Sequence, residues 1–457
     1  MVELRPTARV HIVGVGGAGM SAIAVVLADM GCAVTGSDAV DSPVLDRLRD
    51  HGVQVGVGHD GSRVAGADLV ARSTAIGDDN PEVVAARRAG IPVHRRAEIL
   101  SAITSMRTTV AVAGTHGKTT TSAMLSHILT AVGADPGFVV GALMADGNIG
   151  ARWSDGPWFV VEADESDGTF GELTVDRALV TSVEPDHLRT DRSAEQLADE
   201  FARFCAGATG GLVVCADDDG ALVASQGCER VLYGTGPQAD YRWRFRRRDR
   251  HSVEGEVIGR GRSWGRATVP MPGDHNAVNA LGALAMACEL GVVGPDAVAA
   301  LAGFGGVARR FEYRGEAGGV AFVDDYAHLP TEVACALQAA AEGGWDRVVC
   351  AFQPHRFTRT LHVGSAFGEC FEGADVVIIT DIYSAGEPEI PGVSGELIWR
   401  TVTEAHPEWD VSYVAALDDA ADRLAEVLRP GDLCLTLGAG DLTDVPDQVM
   451  AALRPRR

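Results

Sequence analysis

Thr108-Thr109-Val110-Ala111-Val112-Ala113-Gly114-Thr115-His116-Gly117-Lys118-Thr119-Thr120-Thr121 decides how the chain folds. The first six residues predict a strand buried on both faces. Glycines then bound a tight turn, and Lys118 with the three threonines opens a helix. In such a strand–loop–helix unit the backbone N–H groups can cradle phosphates, Lys118 can reach the β,γ-oxygens and Thr119 can offer a hydroxyl to Mg²⁺. The strict consensus for such loops has Gly or Ala where this chain has Val112. The lysine itself carries the reading. Of the 39 Lys and Arg residues, Lys118 is the single lysine. An ammonium is a compact point charge, whereas guanidinium is a wide planar fork. A chain that otherwise uses Arg throughout keeps Lys where a triphosphate leaves room only for the smaller cation.

Two similar openings flank this one. Arg9-Val10-His11-Ile12-Val13 runs into Gly14-Val15-Gly16-Gly17-Ala18-Gly19, with a helix expected from Met20-Ser21 and with Asp38 ending the next strand. That is a dinucleotide-type fingerprint in its proper context, reporting a diphosphate and a ribose. Val320-Ala321-Phe322-Val323 runs into Asp324-Asp325-Tyr326-Ala327-His328. Apolar strands alternating with helical stretches predict an α/β fold of three domains. These are a Rossmann-like unit over 1–107, a central P-loop parallel-sheet ATPase with a small antiparallel addition over 108–308, and a Rossmann-like unit over 309–457. Tyr241-Arg242-Trp243-Arg244-Phe245-Arg246 alternates with period 2 and reads as an antiparallel edge strand with a solvated Arg face.

A net charge of −24 excludes nucleic acid as the main partner, because phosphate backbones need a basic footprint. It leaves small anionic substrates open. The nine scattered cysteines, without a C-x-x-C, suit a reducing, cytoplasmic setting. No apolar run reaches the roughly 18 residues of a membrane helix, and Arg5, Pro6 and Arg9 interrupt any signal-peptide core. The expected partners are small molecules, and the expected state is a monomer or homodimer.

Further chemistry gathers at strand ends. Trp158-Phe159-Val160-Val161 leads to Glu162-Ala163-Asp164-Glu165-Ser166-Asp167, and Ala178–Val183 leads to Glu184-Pro185-Asp186-His187. Glu162 and His187 are the expected metal ligands, and the other acids are read as solvated loop residues or caps. Asn276 can meet an adenine edge. Arg356 and Arg359, three apart after a strand, can clamp a carboxylate.

Taken in order, these segments resemble the Mur ligase family of ATP-dependent amide ligases, over nearly the whole chain. The resemblance also draws on His275-Asn276-Ala277-Val278-Asn279-Ala280, Arg309-Arg310-Phe311-Glu312 and Gln353-Pro354-His355-Arg356. It implies joining of L-alanine to the lactyl carboxylate of a UDP-linked muramic acid through an acyl phosphate, with ATP and Mg²⁺. By resemblance, Gly14, Gly16, Gly17, Ala18, Gly19, Met20, Ser21 and Asp38 bind the UDP-sugar. Gly114, Thr115, Gly117, Lys118, Thr119 and Thr120 hold phosphates. Asn276 and Asn279 meet adenine, Arg310 the phosphates and Asp325 the ribose. Thr119, Glu162 and His187 organise Mg²⁺. His328, His355, Arg356 and Arg359 line the amino-acid pocket. The catalytic set is then Lys118, His187, Arg310 and His328. Three positions depart from the family pattern: Arg189, Asp191 and Leu329, the last standing where a second His is usual. They leave open a paralogue that applies the same ATP chemistry to another UDP-sugar acid or amine. A catalytically silent nucleotide-binding regulator is the other alternative. An NAD-dependent oxidoreductase leaves the second phosphate loop without purpose.

Overall fold

The computed structural model describes residues 2, 4–165, 169–184 and 193–454. Each of the three predicted openings lies inside a separate sheet.

The first sheet has five parallel strands with Arg9–Val13 at its centre, between Ala33–Asp38 and Leu69–Arg72. The chain winds outward in both directions from this strand. The Gly14–Gly19 loop therefore lies at the switch point, where the flanking crossovers diverge and leave a crevice. The helix behind the loop opens at Ala18, earlier than the sequence suggests, because Gly17 is already an extended N-cap. Gly19 thus falls in the first turn, where a Cβ would lie 2.6 Å from Arg96 Nη1.

The second sheet has ten strands. Thr108–Ala113 lies between Trp158–Glu162 and Arg177–Val180, parallel to both, which brings the phosphate loop and both acidic strand ends to one edge. Val110, Val112, Val160 and Leu179 are fully buried, and the helices Lys118–Ala131 and Asp274–Glu289 cover this face with Met124, Leu125, Ile128, Leu281 and Leu284. Each such side chain contributes about 1.5–3 kcal/mol on burial. Here the core holds the loop's two anchors, strand and helix, in fixed register.

The segment read as an edge strand is paired on both sides. Tyr241–Arg248 runs parallel to Val231–Gly234 and antiparallel to Val253–Gly259, and Arg262–Val269 forms the edge instead. The alternation was set by burial rather than by edge position. Tyr241 and Trp243 enter the core, while Arg244 and Arg246 stay exposed beside Glu256.

The third sheet is parallel through Val320–Asp325, Leu433–Leu437, Val348–Phe352, Val376–Ile379 and Val411–Tyr413, with Glu312–Ala317 as an antiparallel edge. The chain enters this sheet through a pinned passage at Arg309–Phe311. Arg309 and Phe311 both have positive φ, 58° and 47°. The Arg309 guanidinium donates to Asp324 at 3.2 Å and to the Gly438 carbonyl at 2.6 Å. Asp325 accepts the Phe311 N–H at 2.7 Å.

A candidate active site where three sheets meet

A cleft of about 520 Å³ is lined from all three sheets. Gly19 and Arg96 come from the first, Lys118, Thr119 and Glu162 from the second, and Arg310, His328, His355, Arg356 and Arg359 from the third. A second chamber of about 410 Å³, sharing His116, Gly117, Arg310 and Glu332 with the first, is lined by Asn276, Asn279 and Asp325.

The phosphate loop requires glycine at two places. Gly114 has φ 144°, and a Cβ there would lie 2.0 Å from Thr181 Oγ1. Gly117 caps the helix at φ 76°, and its Cβ would lie 2.3 Å from Asn279 Oδ1. Thr115 ties the loop to the neighbouring strand end, its hydroxyl accepting the Glu184 N–H at 2.8 Å. Thr120 opens the second chamber beside it.

Lys118 is folded over its own loop. Its Nζ donates to the Gly114 carbonyl at 2.6 Å and to both Glu165 oxygens at 2.8 and 2.9 Å. Burial pulls the ammonium pKa down, but the charges of Glu165 and Asp164 outweigh it and hold it above its ordinary value. Burial pushes the Glu165 carboxyl up to about 7 against the pull of Lys118. Glu165 is only 2% exposed, so this acid is not a solvated loop residue. A strand end followed by three acids does not reveal which one turns inward, and no other sequence signal marked it.

Thr119 Oγ1 donates to Glu162 Oε1 at 2.9 Å, and Arg310 donates to the same hydroxyl at 3.2 Å. Glu162 Oε2 accepts the Gly141 N–H at 2.7 Å. This places a hydroxyl, a carboxylate and a guanidinium at the helix N-terminus, where anions are favoured. Arg310 also lies 5.0 Å above the Tyr326 ring, which fixes its plane.

His116 is the second residue that sequence reasoning missed. Its ring lies between Glu184 Oε2 at 3.2 Å and Glu332 Oε1 at 3.1 Å. Burial lowers its pKa, yet the two carboxylates raise it to about 10, so the ring is an imidazolium that donates to both. Glu332 belongs to the helix Pro330–Ala341 of the third sheet, far along the chain from the loop.

The remaining expected residues are placed as follows. Asn276 is buried, with its amide donating to the Pro272 carbonyl at 2.7 Å. Asp325, raised to about 6 by burial, accepts backbone N–H groups of Phe311 and Ala327. His328 packs edge-on to His355, and His355 stacks on Tyr383 at 5.8 Å. Arg359 contacts His355 Nδ1 at 2.8 Å. Arg356 has φ 68°, a conformation side chains rarely adopt, and its Nε is buried without a partner. Such strain persists where surrounding structure fixes it, and it gathers at functional sites. Leu329 is buried, lines the cleft and donates its N–H to Glu332 at 3.2 Å. In the first sheet, Asp38 Oδ2 accepts the Gly16 N–H at 2.8 Å, so the acid braces the loop itself. Ala18 and Gly19 line the cleft, whereas Met20 and Ser21 are buried beneath it. His187, Arg189, Asp191 and Ser166 lie outside the described residues.

Models of three Mur ligase domains match this chain: the "catalytic domain" over residues 9–108, the "middle domain" over 112–287 and the "glutamate ligase domain" over 309–440. A UDP-N-acetylmuramate–L-alanine ligase of Geotalea daltonii is 41% identical over 98% of both chains. One of Brucella anthropi is 43% identical over 95% of both. The crystal structure of the UDP-N-acetylmuramate–alanine ligase of Thermotoga maritima superposes with a TM-score of 0.82 at 28% identity, covering 97% of this chain and 98% of that one. The fold, the three-sheet cleft and these relatives together establish that the chain is a member of the Mur ligase family of ATP-dependent ligases.

Proposed function

We propose that the chain joins L-alanine to the lactyl carboxylate of UDP-N-acetylmuramate, with ATP converted to ADP and phosphate. The observation that carries this reading is the convergence of Lys118, the Thr119–Glu162 pair and the His328–His355–Arg356–Arg359 group on one cleft. Residues 1–107 receive the UDP-sugar, 108–308 the nucleotide, and 309–457 close over both and bring the amine. The work is done in the cytoplasm, by a monomer or homodimer.

Each residue has a task. Gly14–Gly19 and the helix start behind them take the UDP diphosphate, with Asp38 bracing the loop and available to a ribose hydroxyl. Asn276, Asn279 and Asp325 surround base and ribose in the second chamber. Lys118 exchanges Glu165 for β,γ-phosphate oxygens, and Arg310 faces the transferring phosphoryl group. A lactyl carboxylate oxygen attacks the γ-phosphorus and ADP leaves, giving an acyl phosphate. The amine nitrogen then attacks the acyl carbon and loses a proton, and phosphate departs from the tetrahedral adduct. Arg356 and Arg359 hold the amino-acid carboxylate, with His328 and His355 beside the amine. The protein's contribution is positioning and charge neutralisation.

The residues fit Mg²⁺. No cluster of three His, Cys, Asp or Glu that could hold a metal occurs among the described residues. Mg²⁺ nevertheless needs only one or two protein oxygens besides phosphates and water. Thr119 Oγ1 and Glu162, 2.9 Å apart, supply that pair, with His187 as the third proposed ligand. When bound, the ion neutralises charge on the β,γ-phosphate oxygens.

One observation favours a second reading. Leu329 presents an apolar side chain where the family usually has His, which suits a paralogue with another amine or sugar acid. Phosphate release from ATP, screened with UDP-N-acetylmuramate against the common amino acids, separates the two. Turnover with alanine alone supports the first. Turnover only with other amino acids supports the paralogue, and silence with every pair refutes the first reading.

A further inference from the structure

His116 belongs to the phosphate loop, and its ring contacts an acid of the third sheet. It spans the gap between the second and third sheets. Its backbone is fixed on one side, with the N–H donating to Ser182 Oγ at 2.9 Å. Its ring joins Glu184 and Glu332 at 3.2 and 3.1 Å, and Thr331 Oγ1 donates to Glu184 at 2.9 Å. Both carboxylates are thus shared between the sheets.

Glu332 continues the chain of contacts. Its other oxygen, Oε2, accepts the N–H of His328 at 2.9 Å and of Leu329 at 3.2 Å, and lies 3.2 Å from His328 Nδ1. The His328 ring meets His355 edge-on, and His355 contacts Arg359. Hydrogen bonds therefore link the phosphate loop through His116 and Glu332 to His328, and the ring contact of His328 with His355 continues into the amine pocket. Burial raises the Glu332 pKa, but His328 and His116 outweigh it and keep the carboxylate ionised.

We propose that His116 is a positioning residue that couples occupancy of the phosphate loop to the affinity of the amine pocket, through Glu332 and His328. This rests on the functional reading above. The physical argument is geometric. The His116 bridge ties the loop to the helix start that holds the His328 backbone N–H, so a shift at one end is felt at the other. A nucleotide that orders the loop therefore orders the pocket, and the amine does the reverse by linkage. Side chains shared by two rigid bodies with discrete arrangements are the physical means of such coupling.

The test measures alanine affinity by calorimetry on the full chain with UDP-N-acetylmuramate, with and without a nonhydrolysable ATP analogue. In the wild type the analogue tightens alanine at least about fivefold, the lower end of usual coupling. In His116→Asn that factor falls to nearly one, whatever the change in analogue affinity measured alone. Glu332→Gln, which keeps the shape of the side chain, loses the coupling in the same way, and the double variant loses no more than either single one. Retention of the wild-type factor in His116→Asn overturns the inference. So does an equal loss of alanine affinity with and without nucleotide, which is what mere structural damage produces. A wild type that binds nucleotide and alanine without coupling also refutes it. A wild type that binds neither refutes the functional reading instead.

Discussion

Lys118→Arg retains the charge and changes only its shape, so it isolates what the single lysine does. Nζ sits among carbonyl and carboxylate oxygens at 2.6–3.3 Å, with the side chain 12% exposed. A planar guanidinium has no room to place two donors on β,γ-phosphate oxygens without moving the loop, which glycines at 114 and 117 hold rigid. Two charge-assisted hydrogen bonds are then lost or misaligned. At about 1.5–3 kcal/mol each, and tenfold per about 1.4 kcal/mol, kcat for phosphate release falls by roughly 10²–10⁴. The buried Glu165 keeps a cationic partner, so thermal unfolding changes little. Lys118→Met, by contrast, takes the ammonium away from the buried Glu165 carboxyl and costs about 3–5 kcal/mol of stability. Calorimetry should show UDP-sugar affinity unchanged in Lys118→Arg, because the Gly14–Gly19 loop belongs to another sheet. A variant whose kcat stays within about threefold of wild type would refute the steric role argued from the lysine.

Other outcomes follow from single positions. Gly117→Ala places a Cβ 2.3 Å from Asn279 Oδ1 at φ 76°, so ATP-analogue affinity should drop at least about fivefold, from about 1–3 kcal/mol of strain; unchanged binding would contradict the loop geometry. Arg356→Gly removes strain at φ 68° and should raise unfolding free energy by about 1 kcal/mol while the KM for the amino acid rises tenfold or more; a variant with an unaltered KM would remove Arg356 from the amine pocket. Glu82 is fully buried, where desolvation raises its pKa, but the His11 imidazole 3.5 Å away and hydrogen bonds from Ser37 and the Asp60 N–H outweigh this and hold it at about 2, below the ordinary 4.5. Its folded pKa is the lower, so the stability it adds is fully present above 4.5 and is lost as pH falls toward 2. Urea unfolding at pH 7 and at pH 3 should therefore show a smaller acid loss in Glu82→Gln, and an acid limb identical to wild type would refute the assignment.

The parts legible in the sequence share a property: each depends on a backbone pattern. Strand–glycine–helix units announce themselves because strands buried on both faces are continuously apolar and tight turns demand glycine. Lys118 stood out through its rarity. The parts that stayed hidden depend on side chains meeting across the fold. Glu165 and Asp164 are indistinguishable as neighbours in an acidic loop, and only the folded chain brings both Glu165 oxygens onto the lysine. Glu332 lies 216 residues from His116, and no local pattern joins them. The Tyr241–Arg246 alternation gave the correct faces and the wrong place in the sheet, because period 2 reports burial on one side and carries no information about pairing partners. Helix onset at Ala18 was missed because Gly17 was counted as loop when it serves as the cap.

On the proposed function, a triphosphate displaces Glu165 from Lys118 within a cleft built by three sheets. A crystal structure with a nonhydrolysable ATP analogue and Mg²⁺ tests it most directly. The γ-phosphate should lie within about 3 Å of Lys118 Nζ, with Glu165 withdrawn from the ammonium and the ion against Thr119 and Glu162. A γ-phosphate bound elsewhere, with Lys118 still paired to Glu165, would contradict it.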